Sequence, residues 1–278
     1  MSAAGPSQGA NCAPSGGSAA APAASVGVDL RAAGPSQGAN CAPSGGSAAA
    51  NAASVGVQPP AAATAQDDTL ARGIATLGVA VTPAQLAQLH AYVALLAKWN
   101  QTYNLTAIRE PARMVTHHVL DSLVVLPHLP AGRALRLLDV GSGGGVPGIP
   151  LAIARPGWHV TMIDSSHKKC AFIRQAVIEL ALPNADAVAS RVEDYRPDAP
   201  FDVVISRAFS DLATFAQTSA RHLAPGGRLV AMKGVHPDEE LAQLPPGISV
   251  VAAPALDVPG LDAERHLIIM AQAEDAVR

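Results

Sequence analysis

The sequence predicts a doubly wound α/β domain with a mostly parallel sheet, preceded by a helical cap and a disordered N-terminal extension. Three observations predict it. From Ala134 onward, short apolar runs alternate with amphipathic stretches of helical period, the pattern of strands crossed over by helices. The first of those runs ends in a cluster of glycines, as the first strand of such sheets does. All Phe, Tyr and Trp residues lie at or beyond Tyr92, so the packed part of the 278-residue chain is roughly 210 residues, enough for one sizeable core.

Residues 3–28 and 32–57 carry the same text, differing only at Pro22 versus Asn51. A solenoid would need an apolar face on every copy, and these offer only Val26, Val28, Val55 and Val57 beyond alanine. Burial of so little surface cannot offset an ordering entropy of roughly 1–2 kcal/mol per residue. Residues 1–66 are therefore expected to be a disordered Ala/Gly/Ser/Pro tail, with Cys12 and Cys41 as incidental thiols.

The cap is expected over 67–133. Thr82-Pro83 is a capping residue followed by a first-turn proline, and Leu86, Leu89, Val93, Leu96 and Trp99 follow at helical spacing. A second helical stretch follows Pro111, with Met114, Val115, His118, Val119 and Leu123 in similar phase. His118 reads there as a packed core histidine.

The main domain is expected over 134–278. LRLLDV (135–140) reads as a buried strand and GIPLAIA (148–154) as a helix. A strand at 158–164, a helix at 166–182 and a strand at 186–190 follow. FDVVISR (201–207) is the next strand, then a helix at 211–223, a strand at 227–234 after a Pro-Gly-Gly turn, and a last strand at 266–272.

A net charge of −3 excludes a strongly basic nucleic-acid coat, and three cysteines exclude a disulfide scaffold. No CxxC pair or His/Asp/Glu cluster has metal-ligand spacing, so no metal is expected. No apolar run approaches the length of a membrane span, and the start lacks the features of a secretory signal, so the expected location is cytoplasmic. Nothing in the sequence requires an oligomer.

LDVGSGGGVPGIPLA (138–152) is the most informative segment. Glycines at 141, 143, 144 and 145 supply unusual φ angles and let a ligand approach the backbone without a Cβ in the way. The following strand ends in Asp164, placed to accept both hydroxyls of an adenosine ribose or, alternatively, to cap the next helix. Two ligands compete for the loop. From Gly143, GGGVPG has the GxGxxG spacing of a dinucleotide site, which would suit an NAD-dependent oxidoreductase. From Asp139, the text is DxGxGxG, the loop of S-adenosylmethionine-dependent methyltransferases. The methyl donor is favoured, because Pro147 removes an N–H that would cradle phosphate and Asp139 suits a cationic methionine amine.

With these residues in hand, the chain resembles the bacterial 16S ribosomal RNA (guanine-N7) methyltransferases, also called glucose-inhibited division protein B. Trp99-Asn100, Tyr103-Asn104-Leu105-Thr106, His118-Val119-Leu120-Asp121-Ser122 and the glycine segment carry the resemblance. SRVEDY (190–195), FDVVISRAF (201–209), MKG (232–234) and ERH (264–266) continue it in order, over about 70–272. The resemblance implies a Rossmann-like class I methyltransferase, S-adenosylmethionine as donor, and N7 of one guanine in 16S ribosomal RNA or the small ribosomal subunit as acceptor. It implies that Gly141 and Val146 belong to the loop part of the donor site, to which the DxGxGxG reading adds Gly143 and Gly145. The resemblance further implies that Val192 and Glu193 lie beside the adenine and that Arg207 lines the donor pocket near the incoming base, with Asp164, from its place at the strand end, expected at the ribose. A methyltransferase for another RNA or a small molecule is the alternative.

Guanine N7 carries a free lone pair and no proton, so no general base is expected. The catalytic demand is alignment, worth several kcal/mol, and Arg207 and Asn104 are the candidates for holding the guanine. Arg207 also has a reading as a structural ion pair, and Asn104 as a helix cap. Phosphate contacts need local positive charge. Arg109, Arg113, Arg191, Arg207, Lys233 and Arg265, with His117, His118 and His266, are the candidates for it; Lys168 and Lys169 read as a solvated face.

Overall fold

The computed structural model describes residues 64–273 apart from 132–133, 208 and 210, with side chains from Thr69 onward. The duplicated tail and its expected disorder lie outside the described residues.

Helices α1 (Thr64–Thr76) and α2 (Pro83–Tyr103) open the structure. At the start of α2 the Thr82 hydroxyl accepts from the Gln85 N–H, and the Gln85 side-chain oxygen accepts from the Thr82 N–H. Pro83 fills the first turn, where no N–H is needed. The helix buries Leu89, Tyr92, Val93 and Leu96, and ends at Asn104 in the left-handed region with φ 49°. Asparagine tolerates that conformation better than most residues.

After Pro111 the sequence predicts an ordinary helix; the structure differs. A short α3 (Pro111–Met114) widens into a π-helical stretch, Val115–Leu120, and returns to α-geometry in α4 (Asp121–Leu123). Here the Thr116 hydroxyl donates to the Arg113 carbonyl and the Ser122 hydroxyl to the His118 carbonyl, so side chains compete with the backbone ladder. The wider turn leaves Thr116, His118, Asp121 and Ser122 all buried.

Seven strands form one sheet: β1 (Arg136–Val140), β2 (His159–Asp164), β3 (Ala185–Ala189), β4 (Phe201–Ser206), β5 (Leu223–Lys233), β6 (Ile248–Ala252) and β7 (His266–Gln272). Their order is β3-β2-β1-β4-β5-β7-β6. β1 to β5 are parallel, while β7 runs antiparallel to both its neighbours. Dinucleotide domains of this class place six strands in the order 3-2-1-4-5-6; here an antiparallel strand stands between β5 and β6. The reversal of strand order at β1 and β4 opens the crevice where such sheets bind ligands.

The strands read as continuous apolar runs because both faces are covered. Leu137, Val203, Ile205 and Val230 share one core with the N-terminal helices and with α5 (Gly148–Ala154) and α6 (His167–Glu179). Leu138, Val204, Leu229 and Ala231 face the other way, against Leu212 and Phe215 of α7 (Leu212–Ser219). Among the described residues no helix is long and apolar enough to cross a membrane.

Several boundaries depart from the sequence pattern. The helix expected over 166–182 ends at Glu179, and Ala181 takes a left-handed φ of 49°. The helix expected over 211–223 gives way to a 3-10 turn, Ala220–His222. Pro-Gly-Gly lies inside β5, where the pairing with β4 slips register between Phe201 and Val203. β6 went unread because it is an edge strand with Val250 and Val251 exposed, and so has no buried run to announce it.

Candidate functional site

β1 ends at Val140 and the chain turns through Gly141 (φ 73°), where the N–H groups of Gly141 and Ser142 both donate to the Ile163 carbonyl at the end of β2. Asp139 is fully buried beneath this turn. Its Oδ2 accepts from the Ser142 hydroxyl and from the Gly148 N–H at 2.9 Å. Burial pushes its carboxyl up to about 6, and those two bonds pull back only in part. Gly148 is required by close approach: a Cβ there would meet Asp139 Oδ2 at 2.8 Å and Met162 Cγ at 2.4 Å. Asp139 therefore ties the loop from below and lines none of the clefts described next.

Asp164 ties the glycine loop to the turn that leads into α6. Oδ1 accepts from the Ser166 N–H at 2.8 Å, ahead of α6, and Oδ2 accepts from the Gly143 N–H at 3.0 Å. Lys169 Nζ stands 3.5 Å from Oδ2. The carboxylate also lines a cleft of about 340 Å³ at the crevice, together with Gly141, Lys169, Val192, Glu193 and Phe209. Val192 is buried and Glu193 exposed, so this cleft has an apolar wall and an acidic rim.

Gly141 and Lys169 also line a second cleft, of about 210 Å³, with Gly143, Val146, Thr106, His118 and Arg207. Through His118 and Arg207 the second meets a third of about 320 Å³, lined by His117, Asp121, Lys233 and Arg265. Arg207 Nη1 donates to Asp121 Oδ2 at 3.1 Å and to the His117 carbonyl at 2.8 Å. Both its Nη atoms lie 3.3 Å from His118 Nδ1, and His118 Nε2 is 2.8 Å from the Thr106 hydroxyl oxygen. Burial first, and the Arg207 charge second, lower His118 to about 4, so the imidazole is neutral at pH 7.

A model of the family described as GidB, rRNA small subunit methyltransferase G, matches residues 85–268. The chain belongs to this family. It is accordingly a ribosomal RNA methyltransferase. A "Ribosomal RNA small subunit methyltransferase G" from Chromobacterium violaceum is 55% identical over 201 residues, covering 72% of this chain and 95% of that protein. One of the same name from Burkholderia pseudomallei (strain 1106a) is 59% identical over 205 residues, covering 72% and 88%. A solved SAM-dependent methyltransferase from Geobacter sulfurreducens, in complex with S-adenosyl-L-homocysteine, aligns at TM-score 0.40 and 17% identity over 55% of this chain and 90% of its own.

In this methyltransferase the clefts bring together Gly141, Gly143, Val146, Asp164, Val192, Glu193 and Arg207. Gly145 and Asn104 stand outside the linings: Gly145 (φ 82°) shapes the turn against Ile149, and Asn104 is the exposed cap of α2. Of the basic candidates, Arg207, Lys233 and Arg265 gather on the third cleft with His117 and His118, and Arg191 lines the first. Lys169 went unrecognised; it faces two clefts while Lys168 stays exposed. Asp121 also went unrecognised, although a carboxylate three residues after His118 in an apolar helical stripe signals a buried partner. Tyr92 gave no signal beyond its apolar phase, yet its hydroxyl donates to the Gly144 carbonyl at 2.7 Å, pinning the glycine loop to α2. Among the described residues, no group of three His, Cys, Asp or Glu residues is arranged to hold a metal ion.

Proposed function

We propose that this enzyme methylates N7 of a guanine in 16S ribosomal RNA of the small subunit, with the donor's adenosine in the first cleft, its methionine end in the second and the guanine entering beside Arg207. The observation that carries this reading is the convergence of Gly141, Asp164, Val192 and Glu193, from three separate segments, on one cleft that shares Gly141 with the neighbouring cleft lined by Arg207. S-adenosylmethionine supplies a methyl group activated by its sulfonium. The residues present fit that donor. Asp164 Oδ1 and Glu193 offer carboxylates for hydroxyl and amino groups, and Val140, Ile163, Val192 and Phe209 offer apolar walls for a flat base.

What the protein must contribute is placement. Guanine N7 is already a nucleophile, so no side chain has to remove a proton. A base buried in a duplex cannot reach such a cleft, so the acceptor must be unstacked. Arg207, bonded to Asp121 and the His117 carbonyl and close to His118, stands where the second and third clefts share their lining, so it can orient the incoming acceptor strand. A ribosomal RNA substrate supports a cytoplasmic location, with naked RNA or the assembled small subunit as the acceptor.

The test is methyl transfer from labelled S-adenosylmethionine to small-subunit ribosomal RNA lacking its N7 methylation, offered naked and as assembled subunits. One labelled guanine N7 is expected. No label on either substrate, with the donor still bound, would overturn the acceptor while leaving the donor site standing.

A further inference from the structure

The third cleft contains an arrangement centred on Asp121, a residue that lines neither of the two clefts assigned to the donor. Asp121, its side chain 2% exposed, engages two arginines at once: Oδ2 accepts from Arg207 Nη1 at 3.1 Å and Oδ1 from Arg265 Nε at 2.8 Å. The two guanidiniums come from separate segments, one just after β4 and one just before β7, and each is about a quarter exposed. Arg265 Nη1 donates to the Glu264 carbonyl, and among the described residues no bond engages its Nη2. The neighbouring cation on this cleft, Lys233, is already neutralised by Glu240 at 2.7 Å. One carboxylate against two guanidiniums leaves a single positive charge at the mouth of the cleft.

We infer that Arg207 and Arg265, held as a pair by Asp121, form a clamp for one phosphodiester of the acceptor RNA strand, with Asp121 as its positioning residue. This rests on the acceptor reading above and names what holds the strand. A phosphodiester carries the one negative charge needed, and its two free oxygens suit the planar donor edges of guanidinium groups. The guanine edge is the poorer occupant. An arginine fork on guanine engages O6 and N7 together, and N7 must keep its lone pair for the methyl group. The donor's carboxylate is poorer too, because Arg265 lines the third cleft and not the second. The clamp lies one cleft beyond the methionine end, joined to it through Arg207 and His118, where the backbone flanking an unstacked guanine would pass.

The experiment measures binding of unmethylated small subunits to the full-length protein and to its Arg265→Gln and Arg265→Lys variants across a KCl series at fixed Mg²⁺. Donor Kd is measured in parallel. Wild type is expected to bind with a salt-dependent Kd. Arg265→Gln should bind several-fold more weakly, with the slope of log K against log salt smaller by about 0.7, the loss of one phosphate contact on a single strand. Its donor Kd should stay unchanged. Arg265→Lys, which keeps the charge without the planar fork, should restore the slope and only part of the affinity. An unchanged slope in Arg265→Gln would overturn the clamp, even if turnover fell, since it would assign Arg265 to the base or to packing. A changed donor Kd would overturn it by returning Arg265 to the donor site. Failure of the wild type to bind subunits would instead defeat the acceptor reading itself.

Discussion

The carbonyl oxygen of Val192 lies 3.0 Å from Nε2 of His222, and the contact is buried. Arg221 Nη2 donates to the same oxygen at 2.9 Å. The segment read as lying beside the adenine is thus gripped from behind by the 3-10 turn that leads into β5. A carbonyl only accepts, so Nε2 carries the proton, and burial, the larger cause, lowers His222 below the ordinary histidine value and keeps the ring neutral. His222→Ala should loosen Val192 and Glu193 and cost about 1 kcal/mol of donor binding, a several-fold rise in Kd. Turnover at saturating donor should be unchanged, and His222→Gln, with an amide donor, should recover part of the loss. Calorimetric titration with S-adenosylmethionine checks this; an unaltered Kd for His222→Ala would reduce the contact to packing.

Asp164→Ala removes a cleft carboxylate whose oxygens accept from two backbone N–H groups. Donor binding should weaken by about 1–3 kcal/mol, and thermal stability should fall as well, because the N–H groups of Gly143 and Ser166 lose their partner. A fall in Tm with no change in donor Kd would assign Asp164 to the loop and helix start alone.

Tyr92 is fully buried, and burial is the main cause holding its hydroxyl well above the ordinary tyrosine range. Tyr92→Phe leaves the Gly144 carbonyl without that donor and should cost about 1 kcal/mol of unfolding free energy in urea titration. Donor affinity should fall modestly with it, since Gly144 lies in the loop. Stability equal to wild type would mean that solvent or a shifted loop satisfies the carbonyl.

Two buried groups give opposing pH dependences. Asp139 is raised from 3.8 to about 6, so its contribution is full below the lower value and is lost as pH rises through the higher one. His118 is lowered from 6.5 to about 4, so its contribution is full above the higher value and is lost as pH falls through the lower one. Asp139→Asn removes only the first. Its stability relative to wild type should therefore improve from about pH 4 to about pH 7, by at most about 3 kcal/mol. Urea unfolding at several pH values measures this difference; a flat difference would mean that Asp139 titrates normally.

Much of the site was legible in the sequence because it lies where strands end. Gly141, Asp164, Val192 and Arg207 each follow or close an apolar run, so sheet topology alone sends them to one edge. Less legible was anything set by the cap. The helical phase of Met114, His118 and Leu123 was readable, but the π-helical stretch that carries His117 and His118 into the clefts was not. It arises from side-chain hydroxyls competing for carbonyls, which leaves no periodic trace.

The sequence by itself determined the doubly wound class, the glycine loop, the acid at the end of β2 and the family, because apolar period and short motifs are local properties. Packing in three dimensions settles that Asp139 faces inward, that Lys169 belongs to the clefts, and that Asp121 reaches Arg207, 86 positions on, and Arg265, 144 positions on. Those assignments depend on which groups burial forces together. A buried charge must find its partner wherever the fold delivers one, and spacing along the chain does not record that choice.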